Sequence, residues 1–457
     1  MVGKERSIKM HNIGLKKSML IAAFLLSIFM VGCTDNVLTS DSDENKALVI
    51  CADGINQNAL QHVFDVFEEE YNIEVICNWI PAPYETNGVE TKNNMEERNT
   101  YIQRIKTEIM AGRGPDVYVV PVYGTAQDVF PDVSKAMRNG VFRPLGTLEQ
   151  IENSNISQLQ VAIKSVGEME GVQYILPLSY QVDGVLLCDS PQRNRALYST
   201  LAGLMTSEYF RTLDANYPEW GIEGLWWHNL TNNAIPLVNY DTMSVNLLAQ
   251  DMPELLRREV EVIQKNVGSP YQMEYYEYGA LAENENGVPY IIGQAAGDLN
   301  NLAMTILDGE GTLFSAFPNA DGEIYARVTG IAGISSSCER VEEAELFMDF
   351  LLEERWQKNF DGINTSVLSG FPARAGCSEK LFENQSLQTL NDLQCTPLSG
   401  ETLESFVGLE KQVSGAYFPV IPEAVIQMID KTADKNGHIT IDDIQKVNDV
   451  LERYLSE

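Results

Sequence analysis

Ile105 to Val120 reads IKTEIMAGRGPDVYVV, and its two halves require different backbones. Ile102, Ile105 and Ile109 recur at helical spacing, so the first half continues a helix with one apolar face. Gly112 suits the left-handed position that closes a helix, and Pro115 lacks the amide a further turn would need. Val117 to Val120 is then an unbroken run of β-branched and aromatic residues, as a strand buried on both faces requires. Asp116 is expected to hold turn amides after Pro115. A helix that stops sharply and feeds a buried strand is the building unit of an α/β sheet.

The same alternation extends in both directions. Ala47 to Ala52 reads as a first strand, followed by a helix with Leu60, Phe64, Phe67 and Tyr71 on one face and Asn56 as N-cap. Ile73 to Cys77 reads as a second strand; Val172 to Leu176, Gly184 to Cys188, Val288 to Ile292 and Arg327 to Ile334 read as further ones. A helix is expected over Glu339 to Gln357, and another at the end of the chain, opened by a capping box of Thr440 and Asp443. The pattern predicts a largely parallel sheet, and no repeat points to a solenoid or propeller.

Composition narrows the function. The chain has 457 residues, enough for one or two sizeable cores, with 44% hydrophobic and 21% charged residues, as in a folded globular protein. Its net charge of −33 repels phosphate backbones, which argues against nucleic acid as partner. The four histidines, at 11, 62, 228 and 438, are too dispersed for a metal motif, and no metal or cofactor is implied.

Residues 1–18 hold five basic side chains against Glu5, and Met19 to Gly32 is apolar or small throughout. That is the pattern of a secretory signal, and the 14-residue stretch is short of the about 20 residues that span a bilayer. It ends Met30-Val31-Gly32-Cys33, similar to a bacterial lipobox, so Cys33 is expected to become a lipidated N-terminus at the outer face of the cell membrane. Without residues 1–32 the chain carries 27 basic against 64 acidic residues. Residues 33–46 are small, polar and acidic, as in a tether. The six remaining cysteines form no CxxC and are expected as free thiols.

The ordered segments LVICADG, FDVFEEEYNIEVICNWIP, IKTEIMAGRGPDVYVV, MRNGVFRPL, GVQYILPLSYQVDGVLLCD, FPNADGEI, GIAGISSSCERVEEAELFMDFLLEERWQ and GFPAR resemble the extracellular solute-binding protein family of ABC transporters, in the maltose- and oligosaccharide-binding branch. The resemblance spans residues 47 to about 374 and is poor over 190–289. It implies a two-lobe α/β fold of the periplasmic-binding-protein type II class with hinge strands between the lobes. Residues 47–179 with 317–360 would form the first lobe, and 180–316 with 361–457 the second. It further implies a monomeric, non-enzymatic receptor that closes on a small ligand, most often a carbohydrate, and delivers it to the permease subunits of an importer.

Loops at the carboxyl ends of strands line the crevice of open α/β sheets. Candidate ligand contacts read from those ends are Asp53, Asn56, Trp79, Tyr84, Tyr123, Tyr180, Gln181 and Asp183. They combine hydroxyl partners with aromatic faces, as a sugar requires. Trp226, Trp227, Gln294 and Arg374 extend the set from the remainder of the chain, and Tyr271, Tyr275 and Tyr278 share one possible helix face. Aromatics at such spacing also build cores.

Two other classes have some support in the residues. A secreted glycan hydrolase needs a carboxylate pair, which so acidic a chain supplies by accident, while no nucleophile motif is present. A calcium-dependent adhesion module is suggested by Thr432 to Asp443, where Gly437 and Ile439 suit an EF-hand loop. Thr432 and Asp443 stand where such a loop wants Asp and a bidentate Glu, and the Thr440 cap explains the same residues.

Overall fold

The computed structural model describes residues 47–82, 92–124, 128–187, 237–249, 252–253, 293–296, 313–316, 318–319, 321–358, 370–378, 389–390, 393–394, 400–420 and 439–456. Cys33, Tyr84, Trp226, Trp227, the tyrosines at 271, 275 and 278, the strand expected over 288–292 and most of the EF-hand-like stretch lie outside the described residues. The elements below belong to one compact unit, Leu48–Glu457.

Strand β1 (Leu48–Asp53) is followed by helix α1 (Gln57–Tyr71), β2 (Val75–Ile80), α2 (Lys92–Met110) and β3 (Val117–Pro121). Then come the short helices α3 (Val133–Arg138) and α4 (Val161–Ser165), and the long strand β4 (Ile175–Leu187). Strands β5 (Gly293–Ala296), β6 (Leu313–Ala316) and β7 (Ile324–Ile334) lead to helix α5 (Val341–Leu351). Strand β8 (Phe371–Pro372), helix α6 (Gly400–Gln412), strand β9 (Val413–Tyr417) and helix α7 (Ile441–Ser456) follow. The main sheet runs β5-β4-β7-β3-β1-β2 among the described residues.

Only part of that sheet is parallel. β1 pairs in parallel with β2 and β3, whereas β7 runs antiparallel to both β3 and β4. Of the strands expected at 172–176 and 184–188, Ile175–Leu176 and 184–187 belong to the single strand β4, while Val172–Gln173 pairs in a separate small sheet with Gly146–Thr147 and Glu168–Met169. Its partners change along its length: Ile175 to Gln181 pair with β7, and Val182 to Leu187 pair with β5 and β6. A periodic pattern marks a strand but not its direction or its neighbours. Within 361–457, β8 pairs with β4 at Tyr180 and Ser179, β9 runs parallel to β7, and the Lys135 ammonium of α3 donates to the Tyr454 carbonyl of α7.

Side chains alternate across the pleat and divide the core into two layers. On one face Ile50, Ala52, Val117 and Val119 meet α1 and α5. The Phe67 ring lies 5.1 Å from Phe347 and 5.2 Å from Phe350, both edge-on, the preferred aromatic geometry. On the other face Cys51, Tyr118 and Val120 meet Ile102 and Ile105 of α2 and Val133 and Met137 of α3. Cys51 and Cys77 therefore point to opposite faces, and both are free thiols.

The turn after α2 forms as its glycine implies. Gly112 has φ +67, and the Arg113 amide reaches back to the Glu108 carbonyl at 2.9 Å, closing the helix. Asp116 holds no turn amide. Its Oδ2 accepts the Val49 amide of β1 at 2.9 Å, binding β3 to β1 where the strands begin. The last helix opens with the expected box, the Asp443 amide donating to Thr440 Oγ1 at 3.3 Å and the Thr440 amide to Asp443 Oδ2 at 3.2 Å.

Phe347 is fully buried between α1 and the sheet. Phe347→Ala is expected to lower the unfolding free energy by about 3–5 kcal/mol, read from urea denaturation followed by far-UV circular dichroism.

Candidate ligand-binding site

The carboxyl end of β1 is occupied by a side chain that binds a cation of α2. Asp53 is wholly buried, and its carboxylate accepts both arms of Arg98, Nη1 to Oδ1 at 3.1 Å and Nη2 to Oδ2 at 2.5 Å. Oδ1 also accepts the Ile55 amide at 3.0 Å, so Asp53 caps the turn before α1 in the role expected of Asn56. Arg98 Nη1 donates as well to the Pro81 carbonyl after β2, at 2.8 Å. Burial opposes the Arg98 charge, but the Asp53 carboxylate, with Tyr123 and Asp128 behind it, holds the guanidinium pKa above its ordinary value. Asp53 thus ties the ends of β1 and β2 together through Arg98 and spends its acceptors within the protein.

Tyr123 follows β3 in the position its strand predicts and is 44% exposed, a large apolar surface offered to solvent. Its loop is rigid. Asp128 Oδ2 accepts the amides of Tyr123 at 2.8 Å and Gly124 at 2.7 Å. Gly124 has φ +73, and a Cβ there would stand 2.4 Å from the Pro419 carbonyl oxygen, so no other residue lets the two loops meet.

Gln181 and Asp183 converge where β4 changes partners. Arg327 on β7 donates through Nη2 to Gln181 Oε1 at 2.7 Å and to Asp183 Oδ1 at 3.1 Å, and through Nε to Asp183 Oδ2 at 3.3 Å. Tyr417, opposite Arg327 on β9, is buried beside them. Burial and the Asp183 charge raise its hydroxyl pKa well above the usual value, with Arg327 pulling the other way.

Other expected contacts face elsewhere. Tyr180 is fully buried, its ring 5.4 Å from Phe371, in the core and not in a crevice. Trp79 stacks on Phe64 of α1 at 5.7 Å and 22°, on the helix-covered face. Both result from strand alternation, which turns every second residue away from a given side. Arg374 Nη1 donates to Asn155 Oδ1 at 2.9 Å and to the Leu352 carbonyl at 2.8 Å, fastening the chain beside β8. Of Asn56 and Gln294 only the backbone is described.

Arg98, Asp128, Arg327 and Tyr417 were missed from the sequence. Arg98 left one signal: it lies on the same stripe as Ile102, Ile105 and Ile109, and a cation on an apolar helix face implies a buried partner.

A cavity of about 330 Å³ opens beside this corner. It lies between α3, the turn at Glu168–Met169, the hairpin of Val238–Asn239 and Ser244–Val245, the start of β7 and the end of β9. Among the described residues no group of three or more His, Cys, Asp or Glu could hold a metal, and no helix is long and apolar enough to cross a membrane.

The sheet with its covering helices is similar to solved structures of solute-binding proteins. An extracellular solute-binding protein family 1 from Alicyclobacillus acidocaldarius superposes with a TM-score of 0.53 at 14% identity, covering 89% of this chain and 98% of that one. The chain has the fold of the extracellular solute-binding proteins. An ABC transporter solute-binding protein from Thermotoga lettingae, bound with α-D-tagatose, matches at 0.54 and 16% identity over 90% of this chain and all of that one (100%). A Streptococcus pneumoniae solute-binding protein in complex with the blood group A-trisaccharide matches at 0.54 and 11%, over 89% of this chain and 100% of the other. No family model matches the chain, and no curated protein does.

Arg98→Met leaves the Asp53 carboxylate buried and unpaired, so a loss of about 3–5 kcal/mol of stability is expected, visible as a lower thermal midpoint of the ligand-free protein. Adding Asp53→Asn should restore much of it, because asparagine still accepts the Ile55 amide.

Proposed function

We propose that this chain is the receptor of an ABC importer, anchored outside the cell membrane through Cys33, which captures a carbohydrate between its two lobes, hands it to the permease subunits, and catalyses nothing. The observation that carries the reading is the corner where β4 passes from one set of partners to another, with Gln181, Asp183, Arg327 and Tyr417 gathered there and a cavity beside it. Strands that leave one sheet for another act as hinges when a ligand makes better contacts in the closed form. Solved structures of this fold with bound sugars support a carbohydrate as cargo. The acidic body, −33 over the whole chain, disfavours polyanionic cargo at long range. The apolar leader ending at Cys33 supports the anchor, and two lobes that bind one ligand need no second copy.

Full-length protein saturated with its sugar at about 100 times Kd is expected to gain about 2.7 kcal/mol, several degrees of thermal midpoint, and to show a smaller radius of gyration in solution scattering. Turnover of chromogenic glycosides, or an unchanged radius with a bound sugar, would refute the receptor reading. In a second experiment Cys33→Ala should release the protein from membranes or leave its leader uncleaved; an unmodified mature N-terminus elsewhere, seen by mass spectrometry, would exclude the anchor.

A further inference from the structure

Helix α3 divides its side chains between two tasks. Val133 and Met137 are buried in the core against the sheet, while Asp132 at the cap, Lys135 and Arg138 follow one another at three-residue spacing along one edge. Two rings from distant parts of the chain lie along that charged edge. Tyr240 comes from the hairpin of Val238–Asn239 and Ser244–Val245, and Tyr454 from the last turn of α7.

Asp132 binds both. Its Oδ2 accepts the Tyr240 hydroxyl at 2.5 Å and the Tyr454 hydroxyl at 3.1 Å, while its Oδ1 accepts the Lys135 amide at 2.9 Å as the cap of α3. The neighbouring cations take one ring each. The Lys135 ammonium lies 3.6 Å from the Tyr454 ring centroid and donates to the Tyr454 carbonyl at 2.9 Å. The Arg138 guanidinium lies 5.6 Å from the Tyr240 centroid and pairs with Asp241 at 3.3 Å. Burial and the Asp132 charge raise the pKa of both hydroxyls above the ordinary tyrosine value, so both remain donors.

The two elements held there also belong together. α7 packs against the Ser244–Val245 strand, and among the described residues the hairpin strands pair only with each other. Leu237, Leu247, Ile444, Val447 and Leu451 are buried, yet none of them is part of either layer of the sheet's core. A patch with apolar contacts of its own, fastened through the side chains of one short helix, can open as a unit at lower cost than the whole fold. We propose that α7 is a strap: it and the hairpin lift from α3 together, as one cooperative piece, and Asp132 is the clasp.

One residue keeps the strap releasable. Asn448 lies on the buried side of α7, where its Nδ2 donates to Glu452 Oε1 at 2.9 Å while its Oδ1 is buried without a hydrogen-bond partner. Such an atom gains a bond to water once the helix lifts, which favours release. The hairpin forms one wall of the cavity and α3 another, so the position of the strap sets how wide that cavity stands. The device is independent of what the protein binds.

The test follows amide hydrogen exchange by mass spectrometry in the full-length protein, without ligand. Tyr454→Phe and Tyr240→Phe each remove one hydroxyl from Asp132 and leave the ring in place. Either change should speed exchange in both 237–247 and 444–455 by about tenfold to a hundredfold, the scale of one hydrogen bond to a charged acceptor, while β1 and β3 stay protected. Asn448→Leu, which removes the unbonded oxygen, should slow exchange in both segments. Faster exchange confined to the element that carries the change would show two independent contacts and overturn the strap. An equal rise in β1 and β3, or no change in either tyrosine variant, would overturn it as well. Faster exchange in Asn448→Leu would overturn the role given to Asn448.

Discussion

Strand β4 must satisfy two sets of partners with one backbone. From Ile175 to Gln181 its hydrogen bonds go to β7, and from Val182 onward to β5 and β6. An extended strand offers donors and acceptors on both edges, so the changeover is a place where the ladder is interrupted and side chains must fill in. Arg327, Gln181 and Asp183 do so, with Arg327 giving one carboxylate and one amide oxygen a shared donor. A buried guanidinium is tolerated only with such saturation, which is why the corner is both polar and rigid. Position along β4 then determines what lies near it: the loop after β3, the end of β9 and the cavity.

A second saturated pair, Asp53 with Arg98, performs the corresponding task at the ends of β1 and β2. Both pairs sit where the rule of strand ends places ligand contacts, yet both are consumed by the fold itself. Polar residues at strand ends therefore divide into those that hold the loops and those left to meet a ligand. In this protein the carboxylates Asp53 and Asp183 belong to the first kind.

Local elements were legible because they depend on local periodicity. Leu60, Phe64 and Phe67 define one face of α1, Ile102 and Ile105 one face of α2, and Val117 to Val120 a strand buried on both sides. Gly112 and the pair Thr440 with Asp443 marked a helix end and a helix start through backbone chemistry that needs no distant partner. Tyr123 was correctly placed at an exposed strand end, whereas Trp79 and Tyr180, equally near strand ends, pack inward, because the alternation of a strand fixes sides only relative to its neighbours.

The sequence by itself determined the α/β class, the order of helices and strands, the apolar leader and the acidic balance, since each follows from residue type and spacing along the chain. Only the tertiary structure decided that β7 runs antiparallel to β3, that β4 runs unbroken from Ile175 to Leu187, and that Asp116 reaches back to β1. It also decided which of many carboxylates meets Arg98 or Arg327, and that Tyr240, Tyr325 and Tyr417, more than 80 residues apart in sequence, share one cavity. The reason is physical: hydrogen-bond partners and cavity walls are chosen by proximity after the chain has folded, and residues far apart in sequence carry no local mark of whom they will meet.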